Sequence, residues 1–488
     1  MRLSKTTLAC LPLGIDTPAY APEEIGVGIV HLGIGAFHRC HMAVYTDDAI
    51  AANRGNWKII GVSLRSTTIR DQLNPQDGLY TIEVRDNSKT QRRVIGSIDH
   101  VLFAPEQAVD VIAAMSNTET KIISLTVTEK GYCHDPATGE LNQNHPDIKH
   151  DIANPSTPKS AIGFLVAALQ QRCNTNAGPV TLLSCDNLPS NGQTLRRIVT
   201  RFAALTCPNI VAWIDANVTF PSSMVDRIVP AMEPSAVAEF TEATGVVDQA
   251  ILQTEPFTQW VIEDSFAASR PAWEQVGATL VGNVEPYEET KLRMLNGSHS
   301  ALAYLGYLAG FDFVHQAMAQ ADLRRYVNIF MRDEAATSLT IPSGLDIDEY
   351  RHNLQQRYDN SALQHRTYQI AMDGSQKIPQ RLLSTLRFHL AHNGPIEASS
   401  LAIAAWMRYV MAHRENGEPF EVQDPLAARF KAVVNDAEKD PVKLVTGLLG
   451  IREIFADDLI QNQRLCDELT KSLRSLLAVG ALKTLAKF

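Results

Sequence analysis

The sequence predicts an α/β protein in which a domain of alternating strands and helices is followed by a mostly α-helical domain. The chain has 488 residues, which is more than one hydrophobic core usually serves. In the first half, short apolar runs alternate with helix-compatible segments, a pattern typical of buried parallel strands in βαβ units. After about Tyr287 strand-like runs become rare and helical periodicity dominates. We therefore expect two domains, 1–285 and 286–488.

Individual elements follow from the same periodicities. The predicted strands are 28–33, 57–64, 121–128 and 180–184, with a helix over 36–52 after the first of them. The predicted helices of the second domain are 290–308, 323–332, 346–357, 401–412, 441–451 and 465–477.

Composition excludes several classes of function. The formal charge of −10 argues against nucleic acid and anionic membranes as main partners. The seven cysteines are irregularly spaced and form no Cys/His cluster, so the sequence predicts neither a disulfide framework nor a metal site. A reduced, cytoplasmic location fits this cysteine usage. The apolar run over 301–314 is too short to span a bilayer. We expect the protein to be a monomer.

A glycine-rich turn follows the first predicted strand. A strand, then Gly33-x-Gly35, then a helix is how a Rossmann-type domain receives the pyrophosphate of a dinucleotide, because glycine permits close approach of the backbone. His38 stands where the third glycine of the usual motif would be, and a tight turn without a ligand is the alternative. The predicted cofactor-binding residues of this turn are Gly33, Gly35, Ala36, Phe37, His38 and Arg39.

The end of the second strand bears on the choice of nicotinamide cofactor. An acidic residue there normally holds the ribose 2′-hydroxyl of NAD, but residues 63–68 include no carboxylate. Arg65 would suit a 2′-phosphate, or it is simply a solvated residue at a strand end. NAD and NADP therefore both stay open at this point.

Lys291, Asn296 and His299 carry the chemistry expected of a metal-free alcohol dehydrogenase. In an α-helix Asn296 would lie about 140° and His299 about 80° from Lys291, so the three would share one face. A buried lysine with a lowered pKa can take a hydroxyl proton, and the other two side chains can hold the reacting oxygen. A partly solvated helix with scattered polar residues is the structural alternative.

The motifs together resemble the polyol-specific long-chain dehydrogenases, the mannitol dehydrogenase family. The resemblance covers about residues 20–480. It rests on Gly33-x-Gly35-x-Phe37-His38-Arg39-x-His41, on Lys291-x4-Asn296-x2-His299, and on the stretches 124–132, 184–187, 224–227 and 255–260.

The resemblance implies a Rossmann-type cofactor domain, a helical substrate domain, and a role for each matching residue. Lys291 would be the general base, Asn187 and Asn296 would hold the reacting oxygen, and Glu288 would pass the proton to solvent. A structural ion pair or helix cap is the alternative for Asp226 and Glu288. The implied substrate-binding residues are Asp226, His299, His365, Arg366 and Lys377, and the further cofactor-binding residues are Arg65, Thr128, Glu129 and Asn187.

Two branches of the family compete as models for this chain. Residues 61–66 resemble the mannitol branch, which oxidises mannitol to fructose. Residues 292–300 and 365–377 resemble the mannonate branch, which interconverts D-mannonate and D-fructuronate, and Arg366 would grip the carboxylate. We expect a sugar acid as substrate and NAD as cofactor, with mannitol or another polyol and NADP as alternatives. A sugar-acid sensor without catalysis is the non-enzymatic alternative, although a sensor needs no base.

Overall fold

The computed structural model describes residues 1–135, 139–342 and 344–488. The chain divides into two compact units, Met1–Glu285 and Pro286–Phe488. No helix within the described ranges combines the length and the apolar character needed to cross a lipid bilayer.

The first unit alternates strands and helices. Its strands are β1 (Ile15–Asp16), β2 (Val27–Leu32), β3 (Lys58–Ser63), β4 (Tyr80–Arg85), β5 (Thr90–Ile95), β6 (Ile98–Phe103), β7 (Ile122–Leu125), β8 (Val180–Ser184), β9 (Val218–Thr219), β10 (Ser223–Asp226), β11 (Leu252–Thr254), β12 (Gln259–Glu263) and β13 (Thr279–Val281). Its helices are α1 (Ala36–Cys40), α2 (Met42–Asn53), α3 (Thr68–Leu73), α4 (Ala108–Ser116), α5 (Thr128–Gly131), α6 (Pro146–Ala153), α7 (Ala161–Thr175), α8 (Asn191–Thr206), α9 (Val211–Asn217) and α10 (Ala236–Thr244).

The main sheet has the strand order β6-β3-β2-β7-β8-β9, and every pair in it is parallel. Numbered from β2, this is the order 3-2-1-4-5-6 of a Rossmann domain. All residues of β7 and β8 are buried, which explains why their sequences are continuous apolar runs. The predicted Rossmann-type fold is therefore confirmed, and each of the four predicted strands is present.

In the first unit, one predicted helix is divided in two, and two small sheets are present that the sequence did not predict. The helix expected over 36–52 is divided into α1 and α2, because His41 leaves the helical conformation with φ −123° and ψ −94°. Two smaller sheets, β1-β5-β4-β11 and β10-β12-β13, accompany the main one. The second of these places Asp226 at the end of β10, opposite Gln259 of β12.

The second unit is helical, as predicted. Its α-helices are α11 (Glu285–Thr290), α12 (Ser298–Leu308), α13 (Val314–Met318), α14 (Ala321–Ile329), α15 (Ile347–Tyr358), α16 (Thr367–Ala371), α17 (Gly374–Ile378), α18 (Ser384–His392), α19 (Glu397–Tyr409), α20 (Ala427–Ala437), α21 (Pro441–Leu449), α22 (Asp457–Ile460), α23 (Gln463–Val479) and α24 (Ala481–Leu485). Three π-helical segments interrupt the α-helices: π1 (Lys291–Gly297), π2 (Phe330–Ala335) and π3 (Pro379–Leu383).

Helix α12 forms the centre of this unit. All eleven of its residues are buried, and it packs against α16 and α19. Leu, Ala and Tyr side chains are distributed around most of this helix, which is typical of a helix buried among others. Its first turn therefore carries His299 into a closed environment, directly after π1.

Candidate active site

A large cavity of the first unit lies where the strand order reverses, beyond the carboxyl ends of β2 and β7. Its volume is about 1110 Å³. Gly33, Gly35, Arg65, Thr126 and Thr128 are among its lining residues. Ligands of open α/β sheets bind at this switch point, so the cavity is the candidate dinucleotide site.

Gly33 and Gly35 form one wall of the cavity. Gly33 has a φ of +89°, and a Cβ atom on it would lie 2.2 Å from the carbonyl oxygen of Thr126. A Cβ on Gly35 would meet nothing nearer than the Gly33 oxygen at 3.9 Å, so the backbone here is open to a ligand. This bare turn fits the pyrophosphate of a dinucleotide, which requires close approach to the backbone.

The remaining residues of the predicted cofactor turn, Ala36, Phe37, His38 and Arg39, are not part of the cavity lining. His38 is fully buried and its ring stacks on His31, with 3.4 Å between the ring centroids. Burial lowers the pKa of both imidazoles, that of His31 to about 3. Arg39 is also buried and donates to the carbonyl oxygen of Ala250 at 2.8 Å. The side chains of His38 and Arg39 therefore pack behind the turn, and the part these two residues take in cofactor binding stays a prediction.

The other predicted cofactor-binding residues have different placements. Arg65 is exposed and lines the cavity, as does Thr128. Glu129 lies outside the lining, in the short helix α5. Asn187 is exposed and follows Asp186 beyond the end of β8.

Lys291 and Asn296 lie in π1, and His299 lies in the first turn of α12. All three are buried, with side chains at most 8% exposed. The angles expected for a continuous α-helix are wrong here, because a π-helix bonds residues five apart and therefore winds differently. Such segments are rare and frequently occur at functional sites.

His299 belongs to a group of aromatic and cationic side chains. Its ring centroid lies 5.0 Å from that of Tyr358 and 4.9 Å from that of His365. Burial, then the nearby His365 and the cations Arg381, Arg357 and Lys377, hold the pKa of His299 well below its usual range. Burial, followed by Arg357 and Lys377, lowers the pKa of His365 to about 4. Both imidazoles are therefore neutral near pH 7, beside several positive charges.

Three polar atoms of this group are buried without a hydrogen-bond partner among the described residues. Asn296 Nδ2, His299 Nε2 and His365 Nδ1 have no hydrogen-bond partner within the part of the chain that the structure describes. Leaving such an atom unpaired costs about 1–3 kcal/mol, so buried polar groups without partners require an explanation.

Comparison with known proteins identifies the family. The model of the mannitol dehydrogenase Rossmann domain matches residues 27–275, and that of the mannitol dehydrogenase C-terminal domain matches residues 283–477. The chain belongs to the mannitol dehydrogenase family. It is thus an oxidoreductase of this family, and the resemblance seen in the sequence is confirmed.

Relatives with different substrates are about equally similar to the chain. D-mannonate oxidoreductase of Escherichia coli (strain K12) is 42% identical over 485 residues, which are 99% of each chain. Mannitol 2-dehydrogenase of Aspergillus fumigatus is 40% identical over 483 residues, covering 97% of this chain and 95% of the relative. The Pseudomonas fluorescens mannitol 2-dehydrogenase in ternary complex with NAD and D-mannitol has a TM-score of 0.92 and 37% identity, covering 100% of this chain and 99% of its own.

Other residues singled out by the family resemblance occupy varied positions. Asp226 is 4% exposed at the end of β10. Glu288 is half-buried on α11, three residues before Lys291. Lys377 is half-buried on α17 and donates to the carbonyl oxygen of Ile370 at 3.1 Å.

The role of Arg366 in gripping a substrate carboxylate stays a prediction. Arg366 is exposed, and its guanidinium lies over the ring of Phe313, 5.4 Å from the centroid. The cations that lower the pKa of His299 are Arg381, Arg357 and Lys377. Sequence reasoning missed the two arginines, although Arg381 follows Lys377 by four residues, a spacing that places side chains on one helical face.

Gly297 is where the three π segments of this mannitol dehydrogenase family member meet. A Cβ on Gly297 would lie 2.8 Å from the carbonyl oxygen of Arg381 in π3 and 3.0 Å from the Phe330 ring in π2. We predict that Gly297→Ala lowers the free energy of unfolding by about 1–3 kcal/mol through overpacking. Turnover should fall as well, because the Arg381 backbone must move. Thermal unfolding and steady-state kinetics measure the two effects.

Gly450→Ala is the matched control for this substitution. A Cβ on Gly450 would meet only carbonyl oxygens at 3.4 Å, an ordinary contact, and its φ is −67°. We expect little change in stability or turnover. Equal effects of the two substitutions would contradict the importance of the close approach at Gly297.

Proposed function

We propose that the protein is an NAD-dependent secondary-alcohol dehydrogenase that interconverts D-mannonate and D-fructuronate. The observation that carries this proposal is the cationic surrounding of His299 and His365. A neutral polyol does not need Lys377 and Arg381 beside it, whereas a sugar-acid carboxylate needs a cationic partner when it leaves water. The 42% identity to D-mannonate oxidoreductase supports the same substrate class.

The cavity of the first unit would hold the cofactor. Its glycine turn fits a pyrophosphate, and Thr128 and Arg65 are among the other lining residues. When bound, the nicotinamide ring supplies the acceptor for the hydride that leaves the alcohol carbon. NAD is our first choice, because the related Pseudomonas enzyme has NAD in its complex. NADP is the alternative, since no carboxylate ends β3 and Arg65 is exposed there.

Residues of the chain would handle the proton and the reacting oxygen. Lys291 would take the hydroxyl proton as general base, and Glu288, three residues earlier on α11, would pass it towards solvent. Asn296, whose Nδ2 has no partner among the described residues, would donate to the oxygen, and the family resemblance implies the same role for Asn187. His299 would donate to a neighbouring hydroxyl as a neutral imidazole, and Asp226 would accept from another.

Mannitol 2-dehydrogenase is the second candidate. It is favoured by the TM-score of 0.92 to the Pseudomonas enzyme and by 40% identity to the Aspergillus one. A sensor without catalysis is less well supported, because binding alone gives no reason to bury Lys291 beside Asn296 and His299.

Absorbance at 340 nm tests the proposal directly. Mannonate, mannitol, arabinitol and altronate are each incubated with NAD and with NADP, and kcat/KM is compared. We expect mannonate with NAD to give the highest value. A higher value for mannitol would overturn the substrate assignment, a higher value for NADP would overturn the cofactor assignment, and tight binding of mannonate without turnover would favour the sensor.

Activity is expected to survive exhaustive chelation. Among residues 1–135, 139–342 and 344–488, no three His, Cys, Asp or Glu side chains are grouped so that they could hold a metal ion. Lys291 offers a proton acceptor that needs no metal. Turnover is measured before and after prolonged dialysis against EDTA. Loss of activity that zinc restores would contradict the proposed chemistry.

A further inference from the structure

Asp186 holds the loop that follows β7. It comes two residues after the end of β8 and is 7% exposed. Its carboxylate accepts from the backbone N–H groups of Val127 at 3.0 Å and Thr128 at 2.8 Å, and from the Tyr132 hydroxyl at 2.9 Å. Val127 and Thr128 line the large cavity of the first unit, so this carboxylate supports a wall of the candidate cofactor site from behind.

The loop held by Asp186 has an unfavourable conformation. Thr128 has a φ of +65°, in the left-handed region. A β-branched residue is rarely found there, and such a conformation persists only where the surrounding structure enforces it. Hydrogen bonds to an ionised acceptor are about twice as strong as neutral ones. The two bonds from Val127 and Thr128 to Asp186 therefore maintain the shape of the cavity wall.

Asp186 is also linked by hydrogen bonds to β10, the strand that ends at Asp226. The Asn191 side chain donates to the carbonyl oxygens of Asp186 at 2.9 Å and Ser223 at 2.7 Å, and accepts from the Ser223 N–H at 3.0 Å. Ser223 is the first residue of β10, and Asp226 is its last. One hydrogen-bonded chain therefore runs from the cavity wall, through the segment that includes Asn187, to β10.

We propose that Asp186 is a positioning residue that fixes the Thr126–Thr128 loop for cofactor binding and keeps Asn187 in register with that loop. The proposal rests on the proposed function, since it assumes that the cavity holds a dinucleotide. It assigns Asp186 no contact with substrate or cofactor.

The ionisation of Asp186 gives the proposal a pH signature. Burial raises the pKa of this carboxyl to about 6. Burial also raises the pKa of Tyr132 and of Cys185, so neither loses a proton near neutral pH, and Glu129 is the other charged neighbour. The ionised form accepts both backbone bonds, whereas protonation turns one oxygen into a donor. NADH affinity should therefore fall as the pH decreases through about 6.

NADH binding to the full-length protein, followed by nicotinamide fluorescence, is the test. We expect Asp186→Asn to raise the Kd for NADH about ten- to a hundredfold at pH 7.5 and to abolish its pH dependence between pH 5 and 7. Adding Thr128→Gly should recover part of the affinity, because glycine adopts a positive φ without strain. The Kd for NADH of the single variant Thr128→Gly shows how much the Thr128 side chain itself contributes to affinity.

Glu334→Gln is the matched control. Glu334 is also buried and accepts from two backbone N–H groups and one hydroxyl, those of Ala398 and Ser399, but it lies in π2 of the second unit. Glu334→Gln should lower the unfolding temperature about as much as Asp186→Asn does, and it should leave the Kd for NADH unchanged. Should Asp186→Asn not fold, Tyr132→Phe removes one of the three bonds and should raise the Kd about threefold.

Two results would overturn the inference: NADH affinity of the Asp186 variant equal to that of the wild type, or a rise in Kd matched by Glu334→Gln. Absence of NADH binding by the wild-type protein would instead contradict the proposed function.

Discussion

Lys291→Ala is expected to lower kcat by at least about a hundredfold, the low end for removing a general base. Lys291 is 7% exposed within π1, the segment that also contains Asn296. Under the proposed function its amine takes the hydroxyl proton of the substrate. Binding of NADH should persist, because the glycine turn belongs to the other unit. Single-turnover kinetics at saturating substrate isolates the chemical step.

Two further variants make this result interpretable. Lys291→Met retains most of the side-chain volume and should lose as much activity as the alanine variant, which separates chemistry from packing. Lys471→Ala is the control, because Lys471 is 72% exposed on α23, where it pairs with Glu468. Retention of more than a tenth of the wild-type kcat by Lys291→Met would contradict the role of Lys291 as base.

Arg381→Met is expected to lower kcat/KM for a charged substrate much more than for a neutral one. If mannonate is the substrate, loss of the cationic partner of its carboxylate should cost about 2–4 kcal/mol of transition-state stabilisation. Mannitol turnover should fall much less, since mannitol has no charge to pair. The measurement is the ratio of kcat/KM for the two substrates in wild type and variant.

Arg366→Ala is the matched control for Arg381. Its guanidinium lies over Phe313 at the surface, so we expect little change in either substrate. Equal losses on both substrates in Arg381→Met would mean that Arg381 only supports the structure, through its 3.1 Å bond to Ser300 Oγ. A selective loss of mannonate turnover in Arg366→Ala would restore the interpretation drawn from the sequence.

Local patterns predict four of the six strands of the main sheet and the helical character of the second unit. β2, β3, β7 and β8 are recognisable because burial on both faces requires continuous apolar runs. Gly33 is recognisable because its positive φ and its contact with Thr126 exclude a side chain. Such features depend on residues close in sequence or on backbone sterics. Each of these restricts which residue types can occur at a position, so the features can be recognised from the sequence.

The positions of individual side chains were less predictable. His38 and Arg39 stand in the cofactor motif, yet the His38 ring stacks on His31 of β2, and Arg39 donates to Ala250, 211 residues away. The helical angles assigned to Lys291 and Asn296 assumed an α-helix, and a π segment has no recognised sequence pattern to reveal it. These outcomes depend on packing between separate elements.

By itself the sequence determined the fold class, the family and the residue types available for chemistry, because periodicity, glycine positions and motif spacing are local properties. Only the tertiary structure decided which cations surround His299, that Arg366 is at the surface, and that Asp186 supports the strained Thr128. The reason is that electrostatic interactions and hydrogen bonds act through space, between residues that the chain brings together only on folding.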